Sequence, residues 1–312
     1  MSDILLALDY GGTKLSAAIA RRDEREWLAL ERVMSPPNKD ATWDQETMRA
    51  LARRVLNRRA PIAIGISFGG PVDAAHGRVI LSHHFPGWEN IALREQWQDE
   101  FNVPASVDND ANVGALGEFT FGAGQVETLY ATSLPVRASS LLYITVRTGV
   151  GGGWILDGKI WRGADAMAGE IGHTIYDPRG PECVCGRRGC VEVMACGPAI
   201  ARDARTRGLQ IDPLTGESVA RAANAGDPIA RAVMDDAARA LGFGIGTAIT
   251  LINPTRVVIG GGVSKSGERW WSVVRASARS NTLPQIRTDI VPAALGDDAP
   301  LWGAIALARE LI

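Results

Sequence analysis

The chain has 312 residues, 46% hydrophobic and 22% charged, enough to bury a sizeable core, and its length suggests two domains. A formal net charge of −2 leaves no electrostatic footprint for nucleic acid or an anionic membrane. No apolar run approaches the roughly 20 residues of a membrane-spanning helix. The start, MSDILLALDYGG, has neither a basic n-region nor a small-residue cleavage site, so a cytoplasmic protein is expected.

Residues 4–8 form an apolar run ending in Asp9-Tyr10-Gly11-Gly12-Thr13-Lys14. Residues 15–20 and 27–33 follow as further runs, the pattern of an antiparallel meander. Helical spacing over 46–58 (Met48, Leu51, Val55, Leu56) leads into a buried strand at 62–67. After the loop Gly69-Gly70-Pro71 and a short hairpin region near Gly77, a helix is predicted over 93–101. A strand over 105–107 then ends at Asp108-Asn109-Asp110, and 112–118 reads as helical. Residues 125–140 look like an irregular insertion.

A second strand-first unit starts at 141–146 and enters Thr148-Gly149-Val150-Gly151-Gly152-Gly153. Asp157-Gly158 between 154–156 and 159–161 is a two-residue hairpin signal. Helices are predicted over 197–207, 218–225, 227–252 and 299–312, and a strand at 257–259 runs into Gly260-Gly261-Gly262. Two halves that each lead strands into a glycine-rich loop imply an α/β fold of two lobes with a central cleft. The expected division is 1–117 and 118–298, with 299–312 packing back on the first lobe.

The segment from Glu170 to Glu192 sets His173, Cys183, Cys185 and Cys190 within eighteen positions rich in Gly, Pro and Arg. It has little apolar material with which to hold a shape. A Cys₃His set satisfies tetrahedral Zn²⁺, whose binding would supply the missing folding energy, and Gly186 and Gly189 permit the sharp turns of Cys-x-Cys. Chance clustering and a disulfide pair are the alternatives. A disulfide is disfavoured without an even, spread-out cysteine framework or a secretory signal.

Asp9, Gly11, Gly12 and Thr13 place a carboxylate, backbone amides and a hydroxyl at one turn. That set suits phosphate and water-held Mg²⁺, or is only a hairpin turn. Thr148 to Gly153 is a second candidate cradle that fits neither a Walker loop nor G-x-G-x-x-G. Asp110, at a strand's C-terminal end, suits a general base, while helix capping is the alternative for Asp108 and Asp110. Glu170 and Glu192, fixed by a rigid loop and bracketing the Cys/His segment, suit paired hydroxyls, while read alone each is a solvated surface charge.

These pieces, in this order, resemble the ROK sugar kinases (repressor, open reading frame, kinase) of the actin-like ATPase, ribonuclease H-like, superfamily. The resemblance spans almost the whole chain. Residues 9–14 resemble the DxGGTK phosphate motif, so that Lys14 joins Asp9, Gly11, Gly12 and Thr13. GISFGGPVD at 65–73 and PGWEN at 86–90 are similar to the stretches around the sugar, and NDAN at 109–112 to the segment bearing the catalytic aspartate. TGVGGG at 148–153 is similar to the second phosphate loop, ExGH at 170–173 with CxCGxxGCxE at 183–192 to the zinc and sugar elements, and GGGV at 260–263 to the adenosine-side loop. LGDDAPLWGA at 295–304 is similar to the family's C-terminal signature.

The resemblance implies an ATP- and Mg²⁺-dependent hexose kinase acting on the 6-hydroxyl. A glucokinase is implied first, with N-acetylmannosamine kinase or fructokinase as alternatives. Asp110 would be the base. Gly70, His84, Asn109, Asp110, Glu170, His173 and Glu192 would bind sugar, and Thr148, Gly149, Gly151, Gly261 and Gly262 would serve ATP beside the residues of the first turn. Zinc on His173, Cys183, Cys185 and Cys190 would be structural, and a homodimer is implied. Two departures stand out: His84 replaces the family's usual Asn, and Arg147 stands where a small residue usually precedes the second loop, an arginine expected to face solvent. Sugar-sensing repressors of the family carry a helix-turn-helix ahead of DxGGT, whereas Asp9 comes early here. A non-catalytic sugar sensor is the reading from another class.

Overall fold

The structure, a computed structural model, describes residues 3–82, 86–126 and 136–312. It divides into two compact units. The first holds residues 1–137, 153–168 and 297–312, and the second holds 138–152 and 169–296.

In the first unit the elements are β1 (Ile4–Tyr10), β2 (Lys14–Arg21), β3 (Trp27–Met34), α1 (Ala41–Leu56), β4 (Ala63–Phe68), β5 (Val72–Asp73), β6 (Arg78–Val79), α2 (Leu93–Phe101), β7 (Ala105–Asn109) and α3 (Asp110–Phe121). The meander expected from the sequence forms: β1 pairs antiparallel with β2, and β2 with β3. Parallel β4 and β7 complete the sheet order β3-β2-β1-β4-β7. Every residue of β1 and β4 is buried, as in a strand covered on both faces. α1 starts at Ala41, five residues before the helical spacing suggests, because the Asp40 carboxylate caps it by accepting from Trp43 N at 2.8 Å. Its Met48, Leu51 and Val55 are buried in the sheet's core, each worth about 1.5–3 kcal/mol relative to exposure.

The segment 125–140 is not wholly irregular: β8 (Gln125–Val126) pairs antiparallel with β9 (Val136–Arg137). Next come β10 (Ser140–Val146), β11 (Val150–Leu156) and β12 (Lys159–Trp161), then α4 (Val191–Ala195), α5 (Gly197–Thr206), α6 (Gly216–Ala225), α7 (Pro228–Ile252), β13 (Arg256–Gly260), α8 (Glu268–Ser280), β14 (Asp289–Pro292) and α9 (Ala299–Arg309). The second sheet runs β12-β11-β10-β13-β14, with β13 parallel to both β10 and β14.

α9 lies in the first unit, where Trp302 stacks on Trp27 with ring centroids 3.9 Å apart. It sits directly against backbone. A Cβ on Gly65 would fall 1.7 Å from Ala304 O, and one on Gly303 would fall 1.7 Å from Val113 O. Among the described residues no helix is long and apolar enough to cross a membrane.

Candidate active site

In the first unit, Gly11, Gly12 and Thr13 form the turn between β1 and β2, so the hairpin and the candidate cradle are one feature. Lys14 starts β2. Asp9 is buried, and its Oδ1 accepts from Ser67 Oγ at 2.9 Å. Gly69 N donates to Tyr10 O at 3.0 Å, which seats the 69–70 loop against this turn. A Cβ added to Gly69 would stand 3.8 Å from both Gly12 N and Asp110 Oδ2. The Gly12 amide of the candidate cradle and the candidate base Asp110 thus border one point.

The helix cap falls elsewhere than on Asp108 or Asp110. Asn109 is the N-cap of α3, its Oδ1 accepting from Ala111 N at 3.0 Å and Asn112 N at 3.4 Å, while Asp110 is the first helical residue. Asn109 Nδ2 donates to Gly70 O at 3.0 Å, so this side chain ties the helix start to the Gly70 loop. Asp108 is buried, accepts from Asn112 Nδ2 at 3.0 Å, and pairs with Arg162 Nη2 at 2.6 Å. Nothing in the sequence singles out Arg162, because a lone arginine after a hairpin carries no signal of its partner. His84 lies outside the described residues.

In the second unit, the ligand atoms of His173, Cys183, Cys185 and Cys190 all lie within 4.8 Å of one another. His173 Nδ1 is 3.5 Å from Cys183 Sγ, and Cys185 Sγ is 3.6 Å from Cys190 Sγ, far beyond the roughly 2.05 Å of a disulfide. The other imidazole nitrogen, Nε2, is 3.9 Å from Glu170 Oε2. Gly186 and Gly189 take φ of +81° and +64°, the left-handed turns expected of them. At Gly189 a Cβ would also strike Asp177 O. Burial pushes the Cys190 thiol up to about 12 and raises Cys183. The Arg187 backbone amide, helped by its side chain, draws Cys185 down to about 6.

Thr148 and Gly149 form the turn before β11, but Gly151, Gly152 and Gly153 lie within that strand. The cradle is shorter than TGVGGG suggests, and two of its glycines answer to packing. A Cβ on Gly152 would fall 2.4 Å from Gly169 O, and one on Gly153 would fall 2.4 Å from Ala111 O. Glu192 Oε2 accepts from Val150 N at 3.0 Å, so the carboxylate after the cysteines also fastens this turn. Arg147 is half-buried rather than fully solvated. Gly261, with φ +89°, packs on Val146 at the end of β10, whereas a Cβ on Gly262 would meet nothing within 4 Å.

A family model described as "ROK family" matches residues 5–311. The chain belongs to the ROK family. It is 36% identical over 265 residues to a glucokinase of Halalkalibacterium halodurans, covering 79% of this chain and 76% of that one. It is 31% identical to an N-acetylmannosamine kinase of Salmonella heidelberg, over 97% and 98% of the two chains. The solved ROK glucokinase of Streptomyces griseus, in complex with glucose and AMPPNP, is 30% identical and superposes with a TM-score of 0.83 over 98% of this chain and 99% of that one. The actin-like ATPase fold expected from the motifs is the fold of this ROK chain.

One ROK motif glycine yields a direct test. A Cβ on Gly149 would lie 2.6 Å from Glu192 Oε2. Gly149→Ala is therefore expected to displace the Glu192 carboxylate and raise the sugar KM about tenfold, with the unfolding temperature changed by only a few degrees. Steady-state kinetics beside thermal melts check this; an unchanged KM would dissociate Glu192 from sugar binding.

Proposed function

We propose that this chain is an ATP-dependent hexose kinase that phosphorylates the 6-hydroxyl of glucose. The observation carrying the reading is the convergence of Gly12 N and Asp110 Oδ2 beside Gly69, an arrangement that suits a phosphate-binding amide next to a base. The likeness to a glucokinase solved with glucose and AMPPNP supports it.

Phosphoryl transfer asks the protein mainly for positioning and charge neutralisation. In this reading Asp110 accepts the hydroxyl proton as the oxygen attacks the γ-phosphate. Asp9, Gly11, Gly12, Thr13 and Lys14, with Thr148, Gly149, Gly151, Gly261 and Gly262, serve Mg²⁺-ATP, where Asp9 would hold the Mg²⁺ and the ion would neutralise phosphate charge. Gly70, His84, Asn109, Glu170, His173 and Glu192 serve the sugar, a set that fits paired hydroxyls because a site built to hydrogen-bond hydroxyls rejects molecules lacking them.

His173, Cys183, Cys185 and Cys190 fit structural zinc. With Zn–S about 2.3 Å and Zn–N about 2.0 Å, the edges of a tetrahedral site are roughly 3.5–3.8 Å. The His173–Cys183 and Cys185–Cys190 separations match that span. When bound, the ion would hold the thiols as thiolates and stiffen the loop. His173, ligating through Nδ1, would keep Nε2 for Glu170 or a sugar hydroxyl. A homodimer is part of the proposal through the family resemblance.

N-acetylmannosamine kinase is the second reading, favoured by the full-length likeness to such an enzyme. ADP release from Mg²⁺-ATP over glucose, N-acetylmannosamine and fructose tests the set. Glucose is expected to give the highest kcat/KM; tight sugar binding without turnover on any of them would instead identify a sensor.

A further inference from the structure

Lys39 is only 4% exposed, an unusual place for a lysine. Its Nζ donates to Gly11 O at 3.0 Å and lies 2.9 Å from Asp44 Oδ1. Asp44, in the first turn of α1, is 3% exposed and accepts a further bond from Trp88 Nε1 at 3.2 Å. Trp88 meets the Tyr10 and Phe68 rings edge-on, with centroids 5.4 and 4.7 Å away. Beside it, Ala41 N donates to Pro86 O at 3.1 Å. A continuous run of contacts, Gly11–Lys39–Asp44–Trp88, therefore joins the turn after β1 to residues 86–88 inside the first unit.

Stability alone is a poor reason for this arrangement. Desolvating an ion pair is costly, and apolar residues of similar volume often hold such a position as well or better. Burial indeed pushes the Asp44 carboxyl up from the usual carboxylate range, against the pull of Lys39. What the ammonium does here that an apolar residue could not is hold the Gly11 carbonyl. In a trans peptide the C=O and the next N–H point in opposite directions. Drawing Gly11 O inward to Lys39 therefore turns the Gly12 N–H outward, on a residue whose added Cβ would meet nothing within 4 Å. A Gly-Gly peptide has almost no intrinsic preference between its two faces, so an outside anchor decides which one it shows.

We infer that Lys39 and Asp44 are positioning residues for phosphoryl transfer. Their pair fixes the Gly11–Gly12 peptide with its N–H presented to a nucleotide phosphate, and through Trp88 it couples that orientation to the 86–88 segment. This rests on the kinase reading proposed above. Neither residue touches the reacting atoms; both act through the turn.

The decisive variant is Lys39→Met/Asp44→Asn, which removes both charges and leaves an acceptor for Trp88 Nε1. It is expected to melt within a few degrees of wild type and to bind glucose normally. Its Mg²⁺-AMPPNP affinity by calorimetry should fall about tenfold or more, and kcat with it, as for loss of a charge-assisted hydrogen bond. Wild-type affinity and kcat in a folded double variant would make the pair purely structural and overturn the inference.

Trp88→Phe gives a second reading, independent of whether the double variant folds. It keeps the ring packing but cuts the link to Asp44, so saturating glucose, expected to tighten AMPPNP binding in wild type, should no longer do so. An unchanged glucose effect would overturn the coupling. Should wild type turn over no hexose, the kinase reading fails while the AMPPNP titrations still judge the tie. Wild type that binds no AMPPNP would remove both.

Discussion

Asp110→Asn should abolish useful turnover while leaving the chain folded and still able to bind glucose. The asparagine keeps the shape of the side chain but cannot take a proton from the attacking hydroxyl. General-base assistance is commonly worth about 10²–10⁴ in rate, so kcat should fall within that range. The helix start should survive, because the cap is Asn109 and not Asp110. Losing a negative charge from the first turn costs about 0.3–1 kcal/mol at most. ADP release and glucose calorimetry on one preparation read the two halves. Rates near wild type would remove Asp110 from the mechanism; lost glucose binding would give it a binding role instead.

Purified active protein should carry about one zinc per chain, and Cys190→Ser should lose it. Cys190 is fully buried at the start of α4, while Val184 and Ile175 in the same segment face solvent, so the loop has few apolar contacts to fall back on. Structural zinc supplies on the order of 10 kcal/mol of folding energy in small domains, and part of that would vanish from residues 173–192. The sugar KM should rise more than tenfold and the unfolding temperature should drop. Nucleotide affinity should weaken less, since the effect reaches the turn before β11 indirectly, through contacts such as the Glu192–Val150 bond. Elemental analysis and glucose titration check this. Full activity without any transition ion would refute the metal's role.

Much of this was legible in the residues. The meander, the Asp157-Gly158 hairpin and the left-handed glycines at 186 and 189 follow from local chemistry, which short stretches carry complete. The His173–Cys190 cluster stood out because its members are near neighbours in the chain. What stayed hidden depends on distance. Lys39 sits in SPPNKDATWD, which reads as a polar turn, and nothing there foretells burial against Gly11, Asp44 and Trp88. Asp40 is the opposite case: the capping residue stands in that stretch, but the apolar spacing that predicts the helix begins only five residues after Ala41. α8 does not stand out in the sequence although Trp270, Val274 and Ala278 keep helical spacing, because a Trp- and Arg-rich stretch obscures the apolar stripe. Gly152 and Gly153 look like part of a phosphate loop because a glycine needed for close backbone packing cannot be told from one needed by a ligand.

The seating of α9 bears on how the polypeptide is made. Residues 299–309 wedge against β4 and α3 so closely that Gly65 and Gly303 leave no room for a methyl group. They leave the ribosome only after everything from 138 to 296. The amino-terminal sheet must therefore wait, with the surface meant for α9 uncovered, while the later-made half completes itself, a reversal of the usual first-made, first-folded order.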